Sequence, residues 1–236
     1  MGMRDAINTA ACAASGDYLL KFDAHCSVAP GFDAVLQEQC DDNWVVVPRR
    51  YTPDPDTWLP RPKTRVDYFY LSCPWTHPKL FSMQPCPWIS RTWEQKDTPL
   101  DDLMTFQGSC WFMSCRHWNW LGELDPIGYG PSCSEQHEIS LKTWLGGGRV
   151  VINKNTWYTH LPLGREPRGF HWDTAQMNAS HLYTANYWTG DQWSDRIHDF
   201  DWLIEKFWPL PLENPRVPGE KYYWPQDWRG LMGTEI

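Results

Sequence analysis

Asp23-Ala24-His25 follows the apolar run Tyr18-Leu19-Leu20-Lys21-Phe22. In an extended segment, side chains two residues apart point the same way. A carboxylate and an imidazole at that spacing can reach one metal ion. Two more places carry reactive groups: Glu135-Gln136-His137-Glu138-Ile139-Ser140, at the start of a helical pattern, and His160, after an extended stretch. Taken singly, each has a plainer reading. Asp23 suits a turn or a helix cap. Glu135 and Glu138 suit a solvated first helical turn, where the helix dipole favours acids. His160 suits a loop histidine satisfied by its neighbours. The eight Cys contain no Cys-x-x-Cys pair, so reduced thiols are a better reading than a zinc site.

The elements that must position these groups read as mixed helices and strands. Residues 5–15 are Ala-rich and suit a helix stopped at Gly16. Residues 18–22 suit a buried strand with polar groups at its C-terminal end, where ligands collect in open α/β sheets. A helix is expected over 30–40 and a strand over 44–48. Residues 52–99, rich in Pro and Trp, read as a long ordered excursion with a strand near 66–71. A strand or turn over 105–114 precedes a helix near 116–121. A helix over 134–147 closes at Gly146-Gly147-Gly148. Residues 149–153 form a strand and 157–159 an extended lead into His160. A mobile loop is expected over 161–175, helices over 178–188 and 195–207, and a surface-wrapping tail over the last thirty residues.

The order of these motifs resembles family 2-like glycosyltransferases of the GT-A fold, above all the polypeptide N-acetylgalactosaminyltransferases and their bacterial and phage relatives. In that family an Asp-x-His motif follows the strand that ends at the nucleotide-sugar, as Asp23-Ala24-His25 does. A Gly-Glu-Asn-x-Glu-Ile-Ser helix follows, matched by Ser134 to Ser140, then Trp-x-x-Gly-Gly, matched by Trp144-Leu145-Gly146-Gly147-Gly148. A distal His, in the place of His160, completes the family's metal site.

The resemblance implies an α/β, GT-A-like mixed sheet flanked by helices, with a catalytic domain over 1–175 and a helical, Trp/Pro-rich extension over 176–236. It implies Mn²⁺ (or Mg²⁺) on Asp23, His25 and His160, since mixed carboxylate and imidazole donors favour Mn²⁺-like ions over Ca²⁺. It places Glu135 and Gln136 in catalysis. On the substrate side it places Arg4, Gly108, Ser109, Trp111, Glu138, Arg165 and Arg168, the last two as bidentate clamps on a pyrophosphate. Inverting members carry an Asp base where this chain has Gln136, which implies transfer with retention. Only 22 residues precede Asp23. The first strands of the nucleotide-binding half are therefore expected to be missing, and the exposed sheet edge is expected to favour a homo-oligomer.

Bulk properties narrow the partners. The net charge is −8, with no basic cluster beyond Arg49-Arg50, which argues against nucleic acid. The longest apolar runs fall far short of the roughly 20 residues a membrane span needs. No apolar signal core follows the N-terminus, so a cytoplasmic location is the default expectation. The expected partners are a nucleotide-sugar, such as a UDP-sugar, and a glycan or protein acceptor. The chain has 17 Trp. Trp rings stack on sugars but also fill cores, which keeps alive the alternatives of a nucleotide-sugar hydrolase and a non-catalytic carbohydrate-binding protein.

Overall fold

The computed structural model describes residues 2–72, 74, 83–131, 134–161 and 174–211. Helix α1 (Met3–Ala13) leads into strand β1 (Tyr18–Phe22), then β2 (Cys26–Val28), α2 (Phe32–Glu38) and β3 (Trp44–Tyr51). Strands β4 (Phe69–Leu71) and β5 (Pro85–Pro87), helix α3 (Ile89–Glu94) and strand β6 (Leu100–Asp102) follow. The remainder is β7 (Cys110–Ser114), α4 (Cys115–Leu121), α5 (Glu135–Leu145), β8 (Arg149–His160), α6 (Thr174–Thr189) and α7 (Phe200–Lys206).

The main sheet runs β1-β7-β3-β8-β2, with β6 also on β8. Its centre is the parallel pair β3 and β8. Val45, Val46, Val47, Val150, Val151 and Ile152 are all buried. Such continuous β-branched runs suit a strand covered on both faces. The other pairings are antiparallel. The β3–β8 register slips between Pro48 and Arg49, where the partners jump from Asn153 to Trp157. Proline has no ladder donor, which makes Pro48 a natural place for the break. Lys154, inside the slip, is tied to the Gln95 carbonyl at 2.6 Å, the Thr98 carbonyl at 2.9 Å and the Tyr68 hydroxyl at 2.7 Å.

The two pieces expected over 149–153 and 157–159 are thus one strand, kept continuous by its partners across the slip. The excursion over 52–99 is more ordered than its composition implied: it holds the β4–β5 ladder and α3. Strands β2 and β6 have three residues each and were not expected. Residues 162–173 and 212–236, most of the expected mobile loop and tail, lie outside the described residues. Helices α6 and α7 contribute Trp188, Phe200, Leu203 and Ile204 to the same core cluster as the sheet. Trp111, Trp144 and Trp188 are fully buried, so these three are core filler.

The registers bring several strand ends to one end of the sheet. Phe22 pairs with Cys110, Tyr51 with Thr159, and Cys26 with His160. No helix among the described residues is long and apolar enough to cross a membrane.

Candidate metal centre

Asp23 leaves β1 and is fixed at once: its N–H donates to the Ser109 carbonyl at 3.0 Å. Two residues on, the His25 carbonyl accepts from the Leu161 N–H at 3.1 Å, which ties the turn to the end of β8. This turn and the Cys26–His160 pairing bring three distant groups together. Asp23 Oδ2 lies 3.2 Å from His160 Nε2 and 3.9 Å from His25 Nε2. The two imidazoles have centroids 4.6 Å apart. Asp23, His25 and His160 each offer a donor atom within 4.8 Å of the others. Bonds of about 2.1 Å to a shared ion set donors roughly 3–4 Å apart, so small side-chain adjustments suffice.

The donor set fits a divalent cation. Both ring nitrogens of His160 are buried and make no hydrogen bond among the described residues. Nε2 faces the Asp23 carboxylate at 3.2 Å without making a hydrogen bond, and a metal bond would satisfy one of the two nitrogens. Burial pushes the Asp23 carboxyl up, but His160 and Lys21 beside it outweigh burial and hold it down at about 2. It is therefore a carboxylate at any physiological pH. The Cys26 thiol, next in sequence to His25, is pushed up to about 11 by burial and by Asp23, so it stays a thiol and is a poor ligand.

Lys21 is a site residue that the sequence reading passed over. Its ammonium donates to Asp23 Oδ1 at 2.7 Å and to the Gly108 carbonyl at 2.6 Å, and stands 3.9 Å from Glu135 Oε1. The signal was present: Lys21 sits two residues before Asp23, on the same side of an extended segment. Glu135 is buried, and that burial raises its pKa, partly offset by Lys21. A Cβ on Gly108 would overlap Glu135 Oε1 and lie 3.0 Å from Gln136 Oε1. Gly108, Glu135 and Gln136 therefore form one wall, joined to the metal-ligand cluster by Lys21. Ser109 is buried; its hydroxyl bonds Gln107 and lies 2.9 Å from the Tyr158 hydroxyl.

The remaining predicted site residues stand elsewhere. Arg4 is fully buried and pairs with Glu138, donates to the Asp125 carbonyl at 3.0 Å, and lies over the Tyr129 ring. Glu138 is buried too, and also takes Lys142 at 2.7 Å. This pair fastens α1 to α5. Trp111 is buried and stacks on Trp118 with centroids 5.4 Å apart. Arg165 and Arg168 lie outside the described residues.

Residues 1–115 match the model of glycosyl transferase family 2. The probable N-acetylgalactosaminyltransferase 8 of Caenorhabditis elegans is 34% identical over 111 residues, which cover 44% of this chain and 26% of that protein. A solved structure, "GalNAc-T7 with UDP, GalNAc and Mn2+", matches with a TM-score of 0.59 at 20% identity, over 80% of this chain and 36% of that one. This chain thus spans about a quarter of the curated relative and about a third of the solved chain. The protein has a mixed α/β, GT-A-type fold and, over residues 1–115, the sequence pattern of glycosyl transferase family 2.

Proposed function

We propose that this protein is a metal-dependent glycosyltransferase that moves a sugar from a UDP-sugar to an acceptor hydroxyl, with retention. The observation that carries the reading is the convergence of Asp23, His25 and His160, from two distant parts of the chain, around donor atoms within 4.8 Å of one another. The match to glycosyl transferase family 2 and the Mn²⁺ and UDP in the GalNAc-T7 structure support it.

Asp23, His25 and His160 would hold the cation, Mn²⁺ or Mg²⁺. When bound, it would screen the diphosphate's charge as the glycosidic bond breaks. Lys21 keeps a second positive charge between Asp23 and Glu135. The absence of a side chain at Gly108 lets Glu135 lie against the backbone. Glu135, buried and 3.9 Å from the Lys21 ammonium, is the carboxylate placed to meet the sugar or the acceptor. Gln136 cannot serve as a base, which favours retention over inversion.

The test is incubation with a panel of UDP-sugars plus Mn²⁺, following UDP release with and without candidate acceptors. Mn²⁺-dependent release that His160→Ala abolishes supports the reading. Glycan binding indifferent to Mn²⁺, with no UDP release from any donor, would replace it with a carbohydrate-binding role.

A further inference from the structure

Nine arginines lie among the described residues, and eight of them have a partner there. Arg4 pairs with Glu138, Arg49 with Asp67, Arg61 with Asp54, Arg91 with Asp101, Arg116 with Asp42 and Arg149 with Asp102. Arg65 lies over the Trp93 ring and Arg196 donates to the Trp193 carbonyl. Arg50 has neither an acceptor nor a ring among the described residues, and its Nε is buried with no hydrogen bond. A guanidinium presents five donors in a fixed fork suited to planar oxyanions.

Arg50 also stands in a telling place. It lies in the last pair but one between β3 and β8, opposite Tyr158. Tyr158 in turn faces Val28 of β2, and Cys26, two residues away, pairs with His160. Side chains directly opposite or two apart share a face, so Arg50, Tyr158, Cys26 and His160 lie on one side of this sheet end. The Arg50 charge acts on both the Cys26 thiol and the Tyr158 hydroxyl. The carboxylate in this neighbourhood, Asp23, is already taken by Lys21 and His160.

We propose that Arg50 is a substrate-binding residue that grips an oxyanion, a phosphate or a carboxylate, on the molecule held beside the Asp23/His25/His160 cluster. The inference rests on the reading of that cluster as a metal and nucleotide-sugar site. The oxyanion has two sources: the donor's diphosphate, or an acidic acceptor such as a uronic acid.

Calorimetric titration of wild type, Arg50→Gln and Arg50→Lys distinguishes them. One arm uses UDP with Mn²⁺; the other uses glucuronate with UDP and Mn²⁺ already saturating. Arg50→Gln is expected to weaken one arm about tenfold or more, with a smaller loss for Arg50→Lys. A loss for UDP assigns the diphosphate; a loss for glucuronate alone assigns an acidic acceptor. Unchanged UDP affinity, together with unchanged or absent glucuronate binding, overturns the proposal. Mn²⁺ alone, followed by electron paramagnetic resonance, checks the metal separately. If wild type binds no Mn²⁺, the metal reading fails, and pyrophosphate without metal then tests Arg50: equal binding by wild type and Arg50→Gln overturns it.

Discussion

Two charged constellations sit on this fold, and they differ in what they leave unsatisfied. At the α1–α5 seam, Glu138 takes Arg4 and Lys142, and Arg4 also spends a donor on the Asp125 carbonyl. At the strand ends, His160 keeps both ring nitrogens without a hydrogen bond among the described residues, beside a carboxylate held ionised. The family resemblance assigns both to a ligand, Arg4 and Glu138 to the substrate and Asp23, His25 and His160 to a metal. Residue type is therefore a poor guide to which cluster meets a ligand. Spare bonding capacity, together with access, is a better one.

The largest expected effect belongs to the closed cluster. Glu138→Gln leaves the fully buried Arg4 without its counter-charge and is expected to cost roughly 3–5 kcal/mol of stability. Denaturant unfolding measures it, and added Mn²⁺ should not restore the loss. A change under about 1 kcal/mol would place the seam among weak surface pairs and remove the contrast.

His160→Ala should do the reverse. Mn²⁺ affinity is expected to fall about 100-fold or more, while stability without metal changes little, because losing the His160 ring beside the Asp23 carboxylate opposes the gain from deleting buried ring nitrogens that make no hydrogen bond among the described residues. Melting curves with and without Mn²⁺ read both quantities. Equal Mn²⁺-induced stabilisation in wild type and variant would break the comparison from the other side.

Gly108→Ala probes the wall between the two clusters. The new methyl would overlap Glu135 Oε1, a side chain that burial leaves little room to move. Overpacking of this kind costs about 1–3 kcal/mol. The same displacement should lower UDP-sugar turnover, with Mn²⁺ affinity intact. Turnover and metal affinity falling together would show that Glu135 and the metal ligands are not separable.

The sequence made much of this arrangement legible, but unevenly. Strand β1 was readable from its apolar run, although it is an edge strand with only Leu19 buried, and Asp23 and His25 meet across the turn that follows it rather than along an extended segment. The ends of α5 were readable for a similar reason, from its periodicity and the glycines after it. Strands β2 and β6 were not, because a three-residue edge strand is defined by the β8 partner beside it rather than by its own pattern. The role of Arg4 was hidden for a related reason: its charge is visible in the sequence, whereas its burial against α5 depends on residues more than a hundred positions away. Lys21 was overlooked because a polar residue inside a short strand reads as its solvent face, and only the Gly108 carbonyl and Glu135 reveal that it points into the site.

The smallest effect is a matter of pH. Asp23 has its folded pKa lowered from 3.8 to about 2, with His160 and Lys21 overcoming the opposing effect of burial. A depressed carboxylate pKa adds stability that is fully present above the unfolded value and is lost as pH falls through the folded one. In metal-free protein, the contribution of Asp23 should therefore be intact above about pH 4 and disappear towards about pH 2. Asp23→Asn should flatten that part of the stability-versus-pH curve and leave the curve above it parallel to wild type. Because the side chain is partly exposed, solvent screening keeps the difference small. The same slope in Asp23→Asn and wild type between pH 4 and 2 would mean that His160 and Lys21 do not hold the carboxylate as their distances indicate. The strand-end cluster would then lose the electrostatic half of its contrast with the Arg4–Glu138 seam.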